Sequence, residues 1–250
     1  MRPPLFPAAA FTLLLITAVH SFAEPVAENA PASSQRREAL TVTVPVTINY
    51  LEALPEGYGA DAKKRWPLVI FLHGSGERGT DLQKVAKHGP PKRVEEGKAF
   101  PFILLSPQCP AGQWWDIAAL DVWLDEVVRK YRVDPERIYL TGLSMGGYGS
   151  WGWAQRSPKR FAAIVPVCGG GDPKQGAKLK DLPVWAFHGA KDPTVPLART
   201  EEMIAAIKEA GGEPRVTIYP EAAHDSWTAA YADDEVFTWL LAQKRPAMGN

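Results

Sequence analysis

Ser144 stands in the stretch GLSMG, between Gly142 and Gly146, where the apolar run RIYLTG gives way to the helix-compatible YGSWGWAQRS. A serine hydroxyl is a poor nucleophile at neutral pH and needs a base beside it. His224, in PEAAHDSW, is the candidate base, because an imidazole exchanges its proton near neutrality. Asp192, in HGAKDPTVP, is the candidate acid that would fix the tautomer of that imidazole and stabilise its protonated form. Gly-x-Ser-x-Gly alone is a weak signal. Its position at a strand-to-helix turn makes it specific, because so tight a turn strains the central residue, excludes bulky flanks and lifts the hydroxyl clear of the sheet. The same turn aims the free N–H groups of the following helix at whatever the serine attacks.

The rivals carry less. His20 lies in an apolar leader, His73 and His188 each end an apolar run in an HG pair that suits a packed role, and His88 in KHGPP shapes a loop. Asp172 in CGGGD is the alternative acid, while Asp225 adjoins the base and would point away from it. A developing oxyanion needs two fixed donors. The backbone N–H of Met145 is one candidate, and that of Ser75 or Gly76, in HGSGERG, is the other. Trp114, Trp115 and Trp227 lie near the same edge, and Trp115 and Trp227 are the candidate substrate-binding aromatics, with core packing as the alternative. Glu77 and Arg78 would either bind a polar substrate group or pair with each other.

These residues need a scaffold that gathers them. PLVIFLHG, FPFILLSPQ, RIYLTG, FAAIVPVCG and PVWAFHG are short, nearly continuous apolar runs, as in strands buried on both faces of a parallel sheet. Helical patterns alternate with them in AALDVWLDEVVRKY, YGSWGWAQRS, LARTEEMIAAIKEA and DDEVFTWLLAQ, and PRVTIYPEA supplies a last strand. ALTVTVPVTINYLEALP predicts one or two antiparallel strands at the start. The expected class is α/β, a mostly parallel twisted sheet with helices on both faces and functional groups at the carboxyl ends of the strands. Only Gly171 to Asp181 separate two of the strand runs, which leaves no room for a cap domain.

The chain has 250 residues and a formal net charge of zero, which fits one globular domain and gives no basic footprint for nucleic acid. Residues 1–23 combine an early Arg, an apolar run too short to span a bilayer and the small-x-small signal Ser21-Phe22-Ala23. They read as a secretory signal peptide, with a secreted or periplasmic product, no stable membrane insertion after cleavage, a flexible lead-in over 24–37 and a catalytic domain over 38–245. Export would permit a disulfide between Cys109 and Cys168, and the sequence leaves the bonded and free forms open. The Cys and His spacings call for no metal, and no motif calls for a cofactor. Nothing in the sequence sets an oligomeric state.

Taken together, HGSGERGTD, SPQCPAGQWW, GLSMGG, PVCGGGD, HGAKDPTVP and HDSW resemble the secreted α/β-hydrolase esterases. The nearest groups are those called phospholipase/carboxylesterase, dienelactone-hydrolase-like or predicted peptidase, with feruloyl-esterase and polyester-depolymerase relatives. The resemblance covers roughly Trp66 to Gln243, and the order Ser144, Asp192, His224 is the α/β-hydrolase order. It implies an α/β-hydrolase fold and a serine hydrolase acting on small-molecule or polymer-linked esters. A peptidase of the prolyl-oligopeptidase-like group and an acyltransferase use the same residues and stay open.

Overall fold

The computed structural model describes residues 37, 39, 40 and 45–245. The expected signal peptide lies outside the described residues, as does all of the lead-in except Arg37. Residues 45–245 belong to one compact unit. Its seven strands are β1 Tyr50–Ala53, β2 Trp66–Leu72, β3 Ile103–Pro107, β4 Val133–Leu143, β5 Ala163–Val167, β6 Trp185–Gly189 and β7 Arg215–Tyr219. They stand in the order β1-β3-β2-β4-β5-β6-β7. Only β1 runs antiparallel, against β3. Of the one or two antiparallel strands expected at the start, one is described, β1, and residues 41–44 of that stretch lie outside the description.

Strand alternation decides where the helices go. In β2, Leu68, Ile70 and Leu72 face one core, with Trp123, Leu124, Trp151 and Met203 from α2 (Ile117–Lys130), α3 (Met145–Arg156) and α4 (Ala198–Glu209). Val69 and Phe71 face the other, with Tyr231, Phe237 and Leu240 from α5 (Trp227–Ala232) and α6 (Asp234–Ala242); α1 (Gly89–Glu95) packs there through Val94. Each fully buried Leu, Ile or Phe contributes ~1.5–3 kcal/mol. Both faces are thus covered, as a sheet with apolar residues on both sides requires. Among the described residues no helix is long and apolar enough to cross a membrane.

The chain reverses its direction of travel across the sheet at β2: β3 lies to one side and β4 to the other. Loops at such a switch point open a crevice beyond the strand ends. Register then sets which residues meet there. Leu72 pairs with Gly142, and Leu143 with Val167. The turn after β2, the end of β4 and the start of the loop after β5 are therefore brought side by side. Between β5 and β6 the chain holds one 3₁₀ segment, Pro173–Leu179, laid against α4 with Gly176 close to Ala206. No cap domain occurs there.

Candidate active site

Ser144 sits between β4 and α3 with φ 53° and ψ −116°, a strained conformation for a residue with a side chain. Its N–H donates to Val167 O (3.0 Å), and its own carbonyl accepts from Tyr148 N–H (3.0 Å), so both neighbours hold the turn. The flanking glycines are required by space. A Cβ on Gly146 would stand 1.9 Å from Leu72 O, and one on Gly142 would stand 2.4 Å from Gly146 O.

His224 Nε2 lies 2.9 Å from Ser144 Oγ, and His224 Nδ1 lies 2.7 Å from Asp192 Oδ2. The three residues come from the ends of β4, β6 and β7. The last two loops are tied together by Ala190 N–H to Tyr219 O (2.9 Å) and Lys191 N–H to Ala222 O (3.0 Å). The Asp192 side chain is fully buried, and that of His224 is 22% exposed. Burial by itself would raise the Asp192 carboxyl. Hydrogen bonds from His224, Val195 N–H and Thr194 N–H outweigh it and hold the group below the ordinary carboxylate value. An ionised carboxylate on Nδ1 leaves Nε2 free to accept the serine proton.

The rivals have other employment. Asp172 caps the 3₁₀ segment through Lys174 N–H and Gln175 Nε2, and Asp225 caps α5 through Thr228. His188 is buried behind Asp192, with Nδ1 2.7 Å from Thr200 Oγ1 and Nε2 2.9 Å from Val195 O. His73 accepts from Cys109 N–H at Nε2 (3.0 Å) and so donates from Nδ1 to Gly74 O (2.6 Å). That pattern needs a neutral ring, and burial lowers its pKa to about 4. His73 thereby clamps the turn after β2 to the loop after β3.

That turn, Ser75–Glu77, is one 3₁₀ turn closed by Glu77 N–H to Gly74 O. The N–H groups of Ser75 and Gly76 precede its first hydrogen bond, as that of Met145 does in α3, and such leading donors have no partner within their own helix. Arg78 does not pair with Glu77. It donates to Ser75 O (2.9 Å) and Gln113 O (3.1 Å), fastening the turn from outside.

The two expected aromatics separate. Trp227 packs edge-on against His224, with ring centroids 5.2 Å apart. Trp115 does not line the cleft: it is 8% exposed, lies against Gly149 and His73 and donates from Nε1 to His73 O (3.3 Å). A core position is its physical role. Its neighbour Trp114 takes the exposed place, 64% accessible and edge-on to Tyr148, four residues past the serine. Cys109 and Cys168 are both buried and free. The Cys168 sulfur lies within 4.8 Å of donor atoms of Asp192 and His224. Burial pushes its thiol up to about 12, so it stays protonated beside the ring of His224.

A solved structure described as a thermostable esterase superposes with a TM-score of 0.70 at 33% identity, covering 79% of this chain and 60% of its own. Residues 117–236 match the family model described as the dienelactone hydrolase family. The protein has the α/β-hydrolase fold. The chain is also similar to a bifunctional acetylxylan esterase/xylanase of Neocallimastix patriciarum, 26% identical over 57% of this chain and 22% of that one. It is similar to a probable feruloyl esterase C of Aspergillus terreus, 25% identical over 62% of this chain and 58% of that one. In each of these three comparisons the chain spans less than two thirds of the relative's length.

Proposed function

We propose that this α/β-hydrolase is an exported serine esterase that cleaves carboxylic esters through an acyl-enzyme, with carbohydrate- or polymer-linked esters as its substrate class. Ser144 Oγ attacks the ester carbonyl as His224 Nε2 takes its proton. The tetrahedral oxyanion is received by the N–H of Met145 and by that of Ser75 or Gly76. His224 returns the proton to the departing alcohol, then activates water to release the acid. The observation that carries the reading is the unbroken hydrogen-bond line from Ser144 through His224 to the buried Asp192.

The substrate class draws on the names of the similar esterases and on two aromatic groups beside the serine, Trp114 with Tyr148 and Trp227 with His88. The short β5–β6 connection leaves the cleft open to the end or side chain of a large substrate. Ser144→Ala is expected to abolish hydrolysis of p-nitrophenyl butyrate while the circular dichroism spectrum stays that of the parent. Full activity in that variant would overturn the mechanism.

A further inference from the structure

Arg132 immediately precedes β4, at the end of that strand remote from Ser144. Its Nε and Nη2 are both buried, and among the described residues neither has a hydrogen-bond partner. These two nitrogens share one edge of the guanidinium. Their parallel N–H groups are the fork that grips a carboxylate or phosphate through two oxygens. Buried donors on a permanently charged group are costly to leave unpaired. The face of the group is already engaged. Its Cζ stands 4.1 Å from the centroid of the Tyr58 ring, and the backbone N–H of Arg132 donates to Tyr58 Oη (3.0 Å). Tyr58 therefore fixes the plane of an empty fork.

The surroundings supply more donors and positive charge. Trp66 opens β2, pairs with Val133 and donates from its backbone N–H to Arg132 O (2.7 Å). It is 6% exposed, and its Nε1 is a further buried donor without a partner among the described residues. The Tyr58 and Trp66 rings lie 6.3 Å apart. Lys63, Lys64 and Arg65 lead into Trp66 and are exposed. Lys64 Nζ stands 3.5 Å over the Trp66 ring, and Arg65 Nη1 donates to Val133 O (3.1 Å). The nearby Asp61 is turned to the backbone N–H of Lys63. Among the described residues none of these four cations has a carboxylate at ion-pair distance, whereas Arg137, within β4, is paired with Asp134. The whole chain has a net charge of zero, so this end of the sheet concentrates uncompensated positive charge, which draws anions.

We propose that Arg132 is the centre of a second binding site, which takes an oxyanion of the carboxylate or phosphate class. The Nε–Nη2 fork meets two oxygens of the ligand, Tyr58 holds the plane of the fork, and Lys64 and Arg65 supply the field that brings the anion in. Access lies past the exposed connection 54–65. Its turns are closed by short-range bonds, Tyr58 N–H to Pro55 O, Ala60 N–H to Gly57 O and Lys64 N–H to Asp61 O, so it can shift without loss of strand pairing. Trp66 and Leu72 stand at opposite ends of β2, seven residues that span roughly 20 Å. The anion site is thus remote from the triad and independent of the esterase reading.

The test uses the full protein in sodium chloride, phosphate or malonate at equal ionic strength, with thermal unfolding as the readout. Phosphate or malonate is expected to raise Tm saturably, by ~2–4 °C over chloride, and the effective salt identifies the class of anion. Arg132→Lys keeps the charge and removes the fork, and it should lose most of that shift. Calorimetric titration of the wild-type protein with the effective anion needs no variant and should give one site per chain. The saturating anion should leave kcat/KM for p-nitrophenyl butyrate within twofold. A shift no larger than that in chloride, a shift kept in full by Arg132→Lys, no calorimetric binding, or competitive inhibition of ester hydrolysis by the anion would overturn the site. A protein inactive on the ester yet stabilised through Arg132 would overturn the esterase reading and uphold the anion site.

Discussion

Asp192 is held at both oxygens. Oδ2 faces His224, while Oδ1 accepts from the N–H groups of Thr194 and Val195. The carboxylate therefore cannot turn away, and its charge favours a proton on Nδ1 rather than Nε2. Asparagine would keep the shape but lose the charge, and its amide could select the wrong tautomer. Asp192→Asn is expected to lower kcat on p-nitrophenyl butyrate by about 10,000-fold with near-parental melting. A loss below tenfold would show that another group orients His224. The meeting of Ser144, Asp192 and His224 was legible in the sequence, because each follows a strand that ends at the same sheet edge. Trp115 and Trp114 were not separable that way. Which indole turns inward depends on the space left by Gly149 on α3, a contact made only in three dimensions.

At the scale of elements, the turn from β4 into α3 exists because two backbone segments touch where side chains would otherwise stand. A methyl group on Gly146 would collide with the carbonyl of Leu72, which is itself fixed in the sheet. Gly146→Ala is expected to destabilise the fold by ~1–3 kcal/mol in urea titration, the usual cost of overpacking, and to cut activity by more than the folded fraction accounts for. Apolar runs located β2 to β6, and PRVTIYPEA marked β7, but the runs missed where β4 begins. The strand starts at Val133, through a pairing of Trp66 with Val133 that shifts register before Leu68. A Pro and two acidic residues hide that start from any apolar pattern. The helices α1 and α5 also went unread. They have seven and six residues, too few to show a period, and α1 opens on Gly89-Pro90-Pro91, which looks like a loop.

For the molecule as a whole, the clamped loops make stability depend on pH. His73 has a pKa of about 4 in the folded protein against 6.5 for an unperturbed histidine. Between those values the unfolded chain binds a proton that the native one refuses, so stability falls as pH drops through this window, by about 3 kcal/mol in full. Asp192 acts in the same direction lower down: its stabilisation is present above the ordinary carboxylate value and is lost as pH falls through its depressed folded value. Urea midpoints at pH 7, 5.5 and 4 should decline steadily, and His73→Gln should decline less steeply between pH 6.5 and 4. Parallel slopes would mean that the ring is not held neutral.

The short connection from β5 to β6 has a kinetic corollary. Its 3₁₀ segment is seated on α4, with Leu179 buried, so among the described residues this connection supplies no hinged cover that would have to swing aside before a substrate reaches the serine. Velocity should then climb smoothly through the concentration at which a substrate forms micelles, without the interfacial activation seen where a lid guards the entrance.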